Sequence, residues 1–132
     1  ADQFGVELVV LPTRRAARET QTVVKTSAGA SLYVPLYSVP NLAAGLELVK
    51  EAGFWVYGAD LEGRRLDAMS FEGRVALVLG SEGRGLRRLV RERCDALVRI
   101  PSDGHVDSLN VSVAAGILMF EIRRQQRFPG FP

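Results

Sequence analysis

Several residue types are scarce in this chain, and each scarcity excludes a class of protein. The 132 residues include one cysteine, Cys94, and one histidine, His105. A single cysteine excludes an internal disulfide framework, and one cysteine with one histidine cannot complete a four-ligand zinc site within one chain. We therefore expect no metal. No apolar run approaches the ~20 residues that a membrane span needs, and no signal-peptide pattern is visible. These absences favour a cytoplasmic protein without membrane contact.

Lysine is the next scarce residue, although the chain is mildly basic. The formal net charge is +2, and only Lys25 and Lys50 among the 17 basic residues are lysine. The remainder are arginine, whose planar guanidinium suits bidentate phosphate contacts. A biased genomic composition would explain the same preference. Hydrophobic residues make up 47% of the chain, which is enough to form a folded core.

Short apolar runs alternate with segments of helical composition, which predicts one α/β domain over residues 1–132. The predicted sheet is mostly parallel with helices on both faces. We expect a polar loop over residues 58–73 and a frayed tail over residues 127–132, where two prolines and a glycine cannot extend a helix. The predicted strands cover residues 6–11, 32–37, 54–57, 75–79 and 96–100, and the predicted helices cover residues 16–28, 41–52, 86–94 and 108–126. Pro35 makes the second strand either an edge strand or one that starts after the proline. Asn41 is expected to cap the second helix and Gly53 to end it.

Two loops deserve chemical interpretation, because parallel sheets bind ligands beyond the carboxyl ends of their strands. The first has the spacing G-x-x-G-x-G from Gly80 to Gly85, which is neither a dinucleotide fingerprint nor a P-loop. Its Glu82 could accept hydrogen bonds from a ligand, and an ordinary strand-to-helix turn is the alternative. Gly58 and Ala59, after a third strand, are weaker candidates for the same site.

The second loop runs from Pro101 into the last helix. Asp107 or Ser108 is expected to cap that helix, and Asn110 falls in its first turn, where unpaired N–H groups gather. Caps and ordinary surface are the alternative explanation. His105 would be a candidate base, but a lone loop histidine is more commonly solvated.

Taken together, LVLGSEGRGL (residues 77–86) and IPSDGHVDSLNVSVAAGILMFE (residues 100–121) resemble the second and third motifs of the SpoU family. This family, in the SPOUT superfamily, contains RNA ribose 2′-O-methyltransferases. The segment between the motifs is most similar to the bacterial branch that methylates a guanosine ribose in large-subunit ribosomal RNA. The family's first motif, Asn-x-Gly followed by an Arg, has no match, and we expect it to precede residue 1.

The resemblance implies a deep C-terminal trefoil knot, S-adenosylmethionine as cofactor, and a homodimer with the last helix in the interface. It also implies roles for individual residues. Glu82, Ser108 and Asn110 match the polar catalytic positions. Contacts to the cofactor are implied for Leu79, Gly80, Ser81, Ile100, Pro101 and Leu109.

Four arginines near the first loop are candidates for RNA binding. Arg84, Arg87, Arg88 and Arg91 are spaced i, i+3, i+4 and i+7, so on a continuous helix they would share one face. Such a stripe could hold phosphates, which dominate RNA affinity. A solvated helix face is the alternative.

Two other functions remain open at this point. One is an RNA-binding module that keeps the SPOUT fold without methyl transfer, for which the unmatched first motif is the best support. The other is a Rossmann-like nucleotide-binding domain, although its fingerprint is missing.

Overall fold

A computed structural model describes residues 1–13, 33–81, 85–104 and 109–129 of the chain. The chain forms two compact units, Ala1–Gly45 and Leu46–Pro132, and each is described by itself. The helix predicted over residues 16–28 lies outside the described residues, as does the end of the predicted tail from residue 130 onward.

The first unit contains a parallel pair of strands after a short 3-10 helix, Asp2–Phe4. Strand β1 covers Val9–Pro12 and strand β2 covers Leu36–Val39, with Val9 opposite Leu36 and Pro12 opposite Val39. Strand β2 starts directly after Pro35, which was one of the two predicted options. Strand β1 starts three residues later than predicted, where the Val9 N–H donates to the Pro35 carbonyl at 3.0 Å.

Helix α1, Leu42–Glu51, begins and ends within one residue of the predicted bounds 41–52. The Asn41 Oδ1 accepts a hydrogen bond from the Ala44 N–H at 3.2 Å, which caps the first turn. Gly53 has a φ of 91° and donates its N–H to the Lys50 carbonyl. Asn at the start and a left-handed Gly at the end are the expected helix signals, and both predictions are confirmed.

The second unit contains a three-stranded sheet that is parallel throughout. Strands β3 (Trp55–Arg65), β4 (Val75–Val78) and β5 (Ala96–Arg99) lie in the order β4-β3-β5. The described residues thus form two parallel sheets where one was predicted. Because all three strands run the same way, the segments after Val78 and Arg99 leave the sheet at one edge. This edge is called the carboxyl edge below.

The predicted loop over residues 58–73 is wrong in its first half, since β3 continues to Arg65. Ala59 and Arg64 are both aligned with Val98 of β5, so residues 60–63 form a bulge between two paired stretches. A side chain on Gly63 would collide with the backbone of Leu97 and Val98. Glycine at this position therefore lets the bulge cross β5 closely.

The polar residues of the bulge explain why the sequence suggested a loop. The Asp60 carboxylate accepts a hydrogen bond from the Glu62 N–H at 2.9 Å. The Arg91 guanidinium forms ion pairs with both Asp60 and Glu62. Both carboxylates are paired with Arg91, which belongs to a neighbouring helix, so their polarity does not end the strand.

The core of this unit lies between the sheet and the last helix. Helix α2 covers Arg88–Arg93 and helix α3 covers Val111–Gln125, and a 3-10 turn covers Leu66–Ala68. Tyr57 and Phe71 meet edge-on, with ring centroids 4.7 Å apart. The buried cluster consists of Tyr57, Leu66, Phe71, Val98, Leu118 and Ile122. Within the described part of the chain, no helix has the length and apolar character to cross a membrane.

Candidate functional site

The two motif loops begin at the same edge of the parallel sheet. Leu79 follows β4 and Ile100 follows β5, and these strands lie on either side of β3. Both side chains are partly buried against the core cluster. The structure thus brings two of the predicted cofactor residues to the carboxyl edge, where ligands of parallel sheets are bound.

The glycine-rich loop closes on itself just beyond this edge. Ser81 and Gly85 form an antiparallel bridge, in which the Gly85 N–H donates to the Ser81 carbonyl at 3.1 Å. Gly85 has a φ of 64°, a conformation that glycine adopts without strain. A Cβ on Gly80 would collide with the backbone of Gly85. Gly80 is therefore required by the loop itself, whatever it contacts in a ligand.

Two of the predicted catalytic residues, Glu82 and Ser108, lie outside the described residues, as do Arg84 and His105. The third, Asn110, is the N-cap of α3. Its Oδ1 accepts hydrogen bonds from the N–H groups of Ser112 at 2.8 Å and Val113 at 3.4 Å. The expectation that Asp107 or Ser108 caps this helix is thus wrong, because α3 begins three residues later than predicted.

Neighbouring residues of the second loop are accessible. Pro101 is exposed, and Leu109, just before the cap, keeps 41% of its surface exposed. An exposed leucine beside an ordered helix start is a surface to which an apolar part of a ligand can bind.

The predicted stripe of four arginines on one helix face is wrong. Helix α2 begins at Arg88, and Arg87 before it has an extended backbone with a φ of −67° and a ψ of 150°. The closed glycine loop delays the helix, so Arg87 leaves the common face. Arg88 and Arg91 remain one turn apart, and Arg91 is already paired with Asp60 and Glu62. Arg87 and Arg88 are exposed.

Gly58 shows a structural role that the sequence did not reveal. It is buried on the central strand, and a Cβ there would lie 2.7 Å from both the Cys94 Sγ and the Leu86 Cδ1. Burial, together with the nearby Asp95 carboxylate, raises the pKa of the Cys94 thiol to about 11. A thiol of this kind stays protonated near neutral pH and is a poor nucleophile.

Two open cavities lie elsewhere in this unit. One, of about 620 Å³, lies beside the bulge and α2 and is lined in part by Arg64, Arg88 and Cys94. The other, of about 460 Å³, is lined in part by Trp55 and Glu72. None of the predicted cofactor residues lines either cavity. Among the described residues, no group of three or more His, Cys, Asp or Glu side chains could hold a metal ion.

Comparison with known proteins identifies this arrangement. The profile of the SpoU rRNA Methylase family matches residues 1–120. The chain belongs to this family. Among its relatives is YacO of Bacillus subtilis, which bears the name of the TrmH family of tRNA/rRNA methyltransferases. It is 48% identical over 128 residues, covering 96% of this chain and 51% of YacO. The match to the SpoU family confirms the resemblance seen in the two motifs.

Solved structures support the same fold. The SpoU methyltransferase AviRb from Streptomyces viridochromogenes, crystallised with AdoMet, is 28% identical and superposes with a TM-score of 0.84, covering 96% of this chain and 50% of AviRb. A structure described as an RNA 2′-O ribose methyltransferase is 28% identical with a TM-score of 0.83, covering 96% of this chain and 49% of that one. S-adenosylmethionine is thus the cofactor of this family, as predicted. The chain spans about half the length of the curated relatives that it matches.

Proposed function

We propose that this protein transfers a methyl group from S-adenosylmethionine to a ribose 2′-hydroxyl of RNA, on a guanosine of large-subunit ribosomal RNA. The observation that carries the proposal is the position of the two motif loops. They follow the strands on either side of β3, at the carboxyl edge of one parallel sheet. The fold match to an RNA 2′-O ribose methyltransferase supports the reaction class.

The residues at the carboxyl edge fit the cofactor chemically. Leu79 and Ile100 provide partly buried apolar surface, and Leu109 provides exposed apolar surface. Such side chains suit the faces of the adenine ring. Backbone groups of Gly80, Ser81 and Pro101 would contact the polar atoms, because tight loops hold their amides and carbonyls in fixed directions. When bound, the cofactor supplies an electrophilic methyl group, so the reaction needs no metal.

The protein's remaining task is to align the ribose hydroxyl and lower the barrier to losing its proton. We assign that task to Glu82, Ser108 and Asn110. Because the Asn110 Oδ1 caps α3, Asn110 serves as a positioning residue that fixes the helix start next to the second loop. The roles of Glu82 and Ser108 are assigned from the resemblance of the two motifs to the SpoU family, with Glu82 stabilising the first loop and Ser108 orienting the hydroxyl.

For RNA binding, the exposed arginines Arg87 and Arg88 are the main phosphate contacts. Arg84 continues this basic segment along the chain. Arg91 takes a lesser part, because two carboxylates already neutralise its charge. Phosphate contacts of this kind position an RNA without reading its sequence.

The active form in this proposal is a homodimer formed through α3. Val113, Ile117 and Phe120 are spaced i, i+4 and i+7 and are partly exposed, while Leu118 and Ile122 face the core. Apolar residues on two sides of a helix favour burial of both sides, and Phe120 also contacts the Phe128 ring within the chain. We also propose that the chain forms a C-terminal trefoil knot and that the protein acts in the cytoplasm.

Two measurements test it. Binding of S-adenosylmethionine to the chain, measured by calorimetry, would support the cofactor site, and absence of binding would exclude it. Transfer of a tritiated methyl group to ribosomal RNA, followed by mapping of alkali-resistant positions, would test ribose methylation. Cofactor binding and RNA binding without transfer would instead favour the non-catalytic RNA-binding module.

A further inference from the structure

The cavity of about 460 Å³ lies at the end of the sheet opposite to the motif loops. Trp55 and Val75 are the first residues of β3 and β4 and are aligned with each other. The Trp55 N–H donates to the Arg74 carbonyl at 2.9 Å, just before β4 begins. Three residue steps along β4 separate this amino edge from the carboxyl edge, a distance of about 10 Å. A ligand here would not occupy the proposed methyl-transfer site.

One wall of the cavity is fixed by the end of the last helix. The Gln125 side chain accepts a hydrogen bond from the Phe71 N–H at 2.8 Å and donates one to the Met69 carbonyl at 2.9 Å. The Gln126 side chain donates to the Gly73 carbonyl at 3.1 Å. Tyr57, which also lines the cavity, donates its hydroxyl to the Ser70 carbonyl at 3.4 Å. The cavity is therefore held in shape before any ligand binds, which lowers the entropic cost of binding.

The side chains lining the cavity combine three chemical functions. Trp55 is the chain's single tryptophan and is 53% exposed, so it offers an aromatic surface for stacking. Glu72, which is exposed, offers a carboxylate. The Arg74 guanidinium lies 4.3 Å from the Phe54 ring centroid and donates through Nη1 to the Ala52 carbonyl at 2.7 Å. These contacts hold Arg74 in place, and guanidinium has further N–H donors beyond Nη1.

We propose that this amino-edge cavity binds an unpaired guanosine nucleotide of RNA, with the base stacked on Trp55 and the Watson–Crick edge hydrogen-bonded to Glu72. Proteins read single-stranded RNA by stacking splayed bases on aromatic side chains and bonding their exposed edges. Guanine offers two adjacent donors, N1–H and N2–H, that match the two oxygens of a carboxylate, whereas adenine offers only its N6 amino group. Arg74 contacts the phosphate of the same nucleotide.

This inference rests on the proposed RNA substrate and adds a second contact remote from the methyl-transfer edge. The site selects unpaired guanosine in the flanking RNA and so contributes to the choice of target. It differs from the arginine contacts, which hold phosphates without regard to the base.

Tryptophan fluorescence tests the site directly, because Trp55 is the only tryptophan. The chain is titrated with single-stranded hexanucleotides that carry one guanosine or one adenosine among uridines. We expect saturable quenching with the guanosine oligonucleotide at a Kd at least five-fold lower than with the adenosine one. Absence of saturable quenching, or equal Kd values for the two, overturns the proposal.

Variants separate the two contacts. Trp55→Ala should weaken binding of a fluorescently labelled guanosine oligonucleotide about ten-fold, as loss of a stacking side chain does. Glu72→Gln should remove the preference for guanosine, whereas Glu7→Gln makes the same charge change at an exposed residue that does not line the cavity. If Glu72→Gln and Glu7→Gln change the binding equally, the effect comes from the chain's overall charge, and the proposed contact between Glu72 and guanosine is overturned. Far-ultraviolet circular dichroism checks that each variant is folded.

The failure of this inference and of the proposed function are distinguishable. Quenching by the guanosine oligonucleotide without methyl transfer would retain the cavity's role and remove the enzymatic one. If quenching is absent and Trp55→Ala methylates the same substrates as the wild type, the enzymatic function is retained and the cavity's role is removed.

Discussion

The backbone of Gly85 occupies the space that a side chain on Gly80 would need. In the sequence analysis, the resemblance to the SpoU family implied that Gly80 contacts the cofactor. The structure gives it an earlier task, which is to let the loop close through the Ser81–Gly85 bridge. Substitution of Gly80 therefore disturbs the loop conformation directly and weakens cofactor binding as a consequence.

Gly80→Ala should lower both the Tm and the affinity for S-adenosylmethionine. Forcing a methyl group against fixed backbone costs about 1–3 kcal/mol, and the loop that results no longer presents its backbone groups correctly. Thermal unfolding and calorimetry measure the two effects. Gly104→Ala is the matched control, because none of the described residues comes within 4 Å of an added Cβ there. A Gly80→Ala variant with wild-type Tm would contradict the collision.

Asn110 allows capping and function to be separated. Asn110→Ala removes the acceptor for two N–H groups and should cost about 1 kcal/mol of stability. Asn110→Ser restores a capping oxygen and should recover most of that loss. We expect methyl transfer to fall ten-fold or more in Asn110→Ala, equivalent to about 1.4 kcal/mol. If Asn110→Ser restores stability and rate together, Asn110 acts only through the helix start, and any direct contact with substrate is excluded.

The exposed arginines should differ from Arg91 in their effect on RNA binding. Replacing Arg87 and Arg88 with alanine should reduce the salt dependence of binding by about 1.5 in the slope of log K against log salt, because two fewer phosphates are contacted. Arg91→Ala should change this slope less and destabilise the chain more, since Arg91 binds the bulge of β3. Binding titrations at four salt concentrations measure the slopes. If the wild type, the Arg87/Arg88 variant and Arg91→Ala have equal slopes, these arginines do not contact phosphates and are ordinary solvated residues.

Stability in acid should depend on Glu121. Hydrogen bonds, first from Arg124 and then from Gln125, lower the pKa of this carboxyl from 4.5 to about 2. A lowered pKa in the folded state means that the stabilisation is complete above pH 4.5 and is lost as the pH falls toward 2. Urea unfolding of wild type and Glu121→Gln should thus differ at pH 6 and converge near pH 2. Glu51→Gln, a like change elsewhere, provides the control, and a difference that persists at pH 2 would contradict the assignment.

The exposed side of α3 should determine the oligomeric state. Ile117→Asp places a charge among the exposed apolar residues of that side and should convert a dimer to a monomer. Leu48→Asp, on the exposed surface of α1, should leave the dimer intact. Sedimentation velocity reports both. A monomeric wild type at micromolar concentration would remove the dimer from the proposed function.

Elements with a clear local signal were predictable from sequence. Helix α1 has an asparagine cap and a glycine stop, and the apolar runs of β4 and β5 have no competing interpretation. The extension of β3 was not predictable, because the partners of Asp60 and Glu62 come from α2, more than 25 residues away. The late start of α2 was hidden for a related reason. Leu86 and Arg87 are residue types that favour a helix, but after the closed glycine loop Leu86 lies in a bend and Arg87 has an extended backbone.

The sequence motifs of the site could be predicted, but the contacts that its residues make in the folded chain could not. Asn110 and Gly80 were both singled out, yet their structural tasks depend on which atoms come close in three dimensions. The amino-edge cavity gave no signal at all. Its lining residues belong to two segments that are separate in sequence, and the glutamines that support it come from a third.

The glutamine contacts also impose an order of events during synthesis. Gln125 binds a segment that precedes it by 54 residues. At roughly 5–20 residues per second, that segment waits about 3–10 s in the nascent chain before its anchors have been made. A chain interrupted before Gln125 would contain all three strands of the second sheet and no fixed wall beside Trp55. The last turn of α3 therefore fixes the amino edge late, because that edge is complete only once Gln125 and Gln126 have been translated.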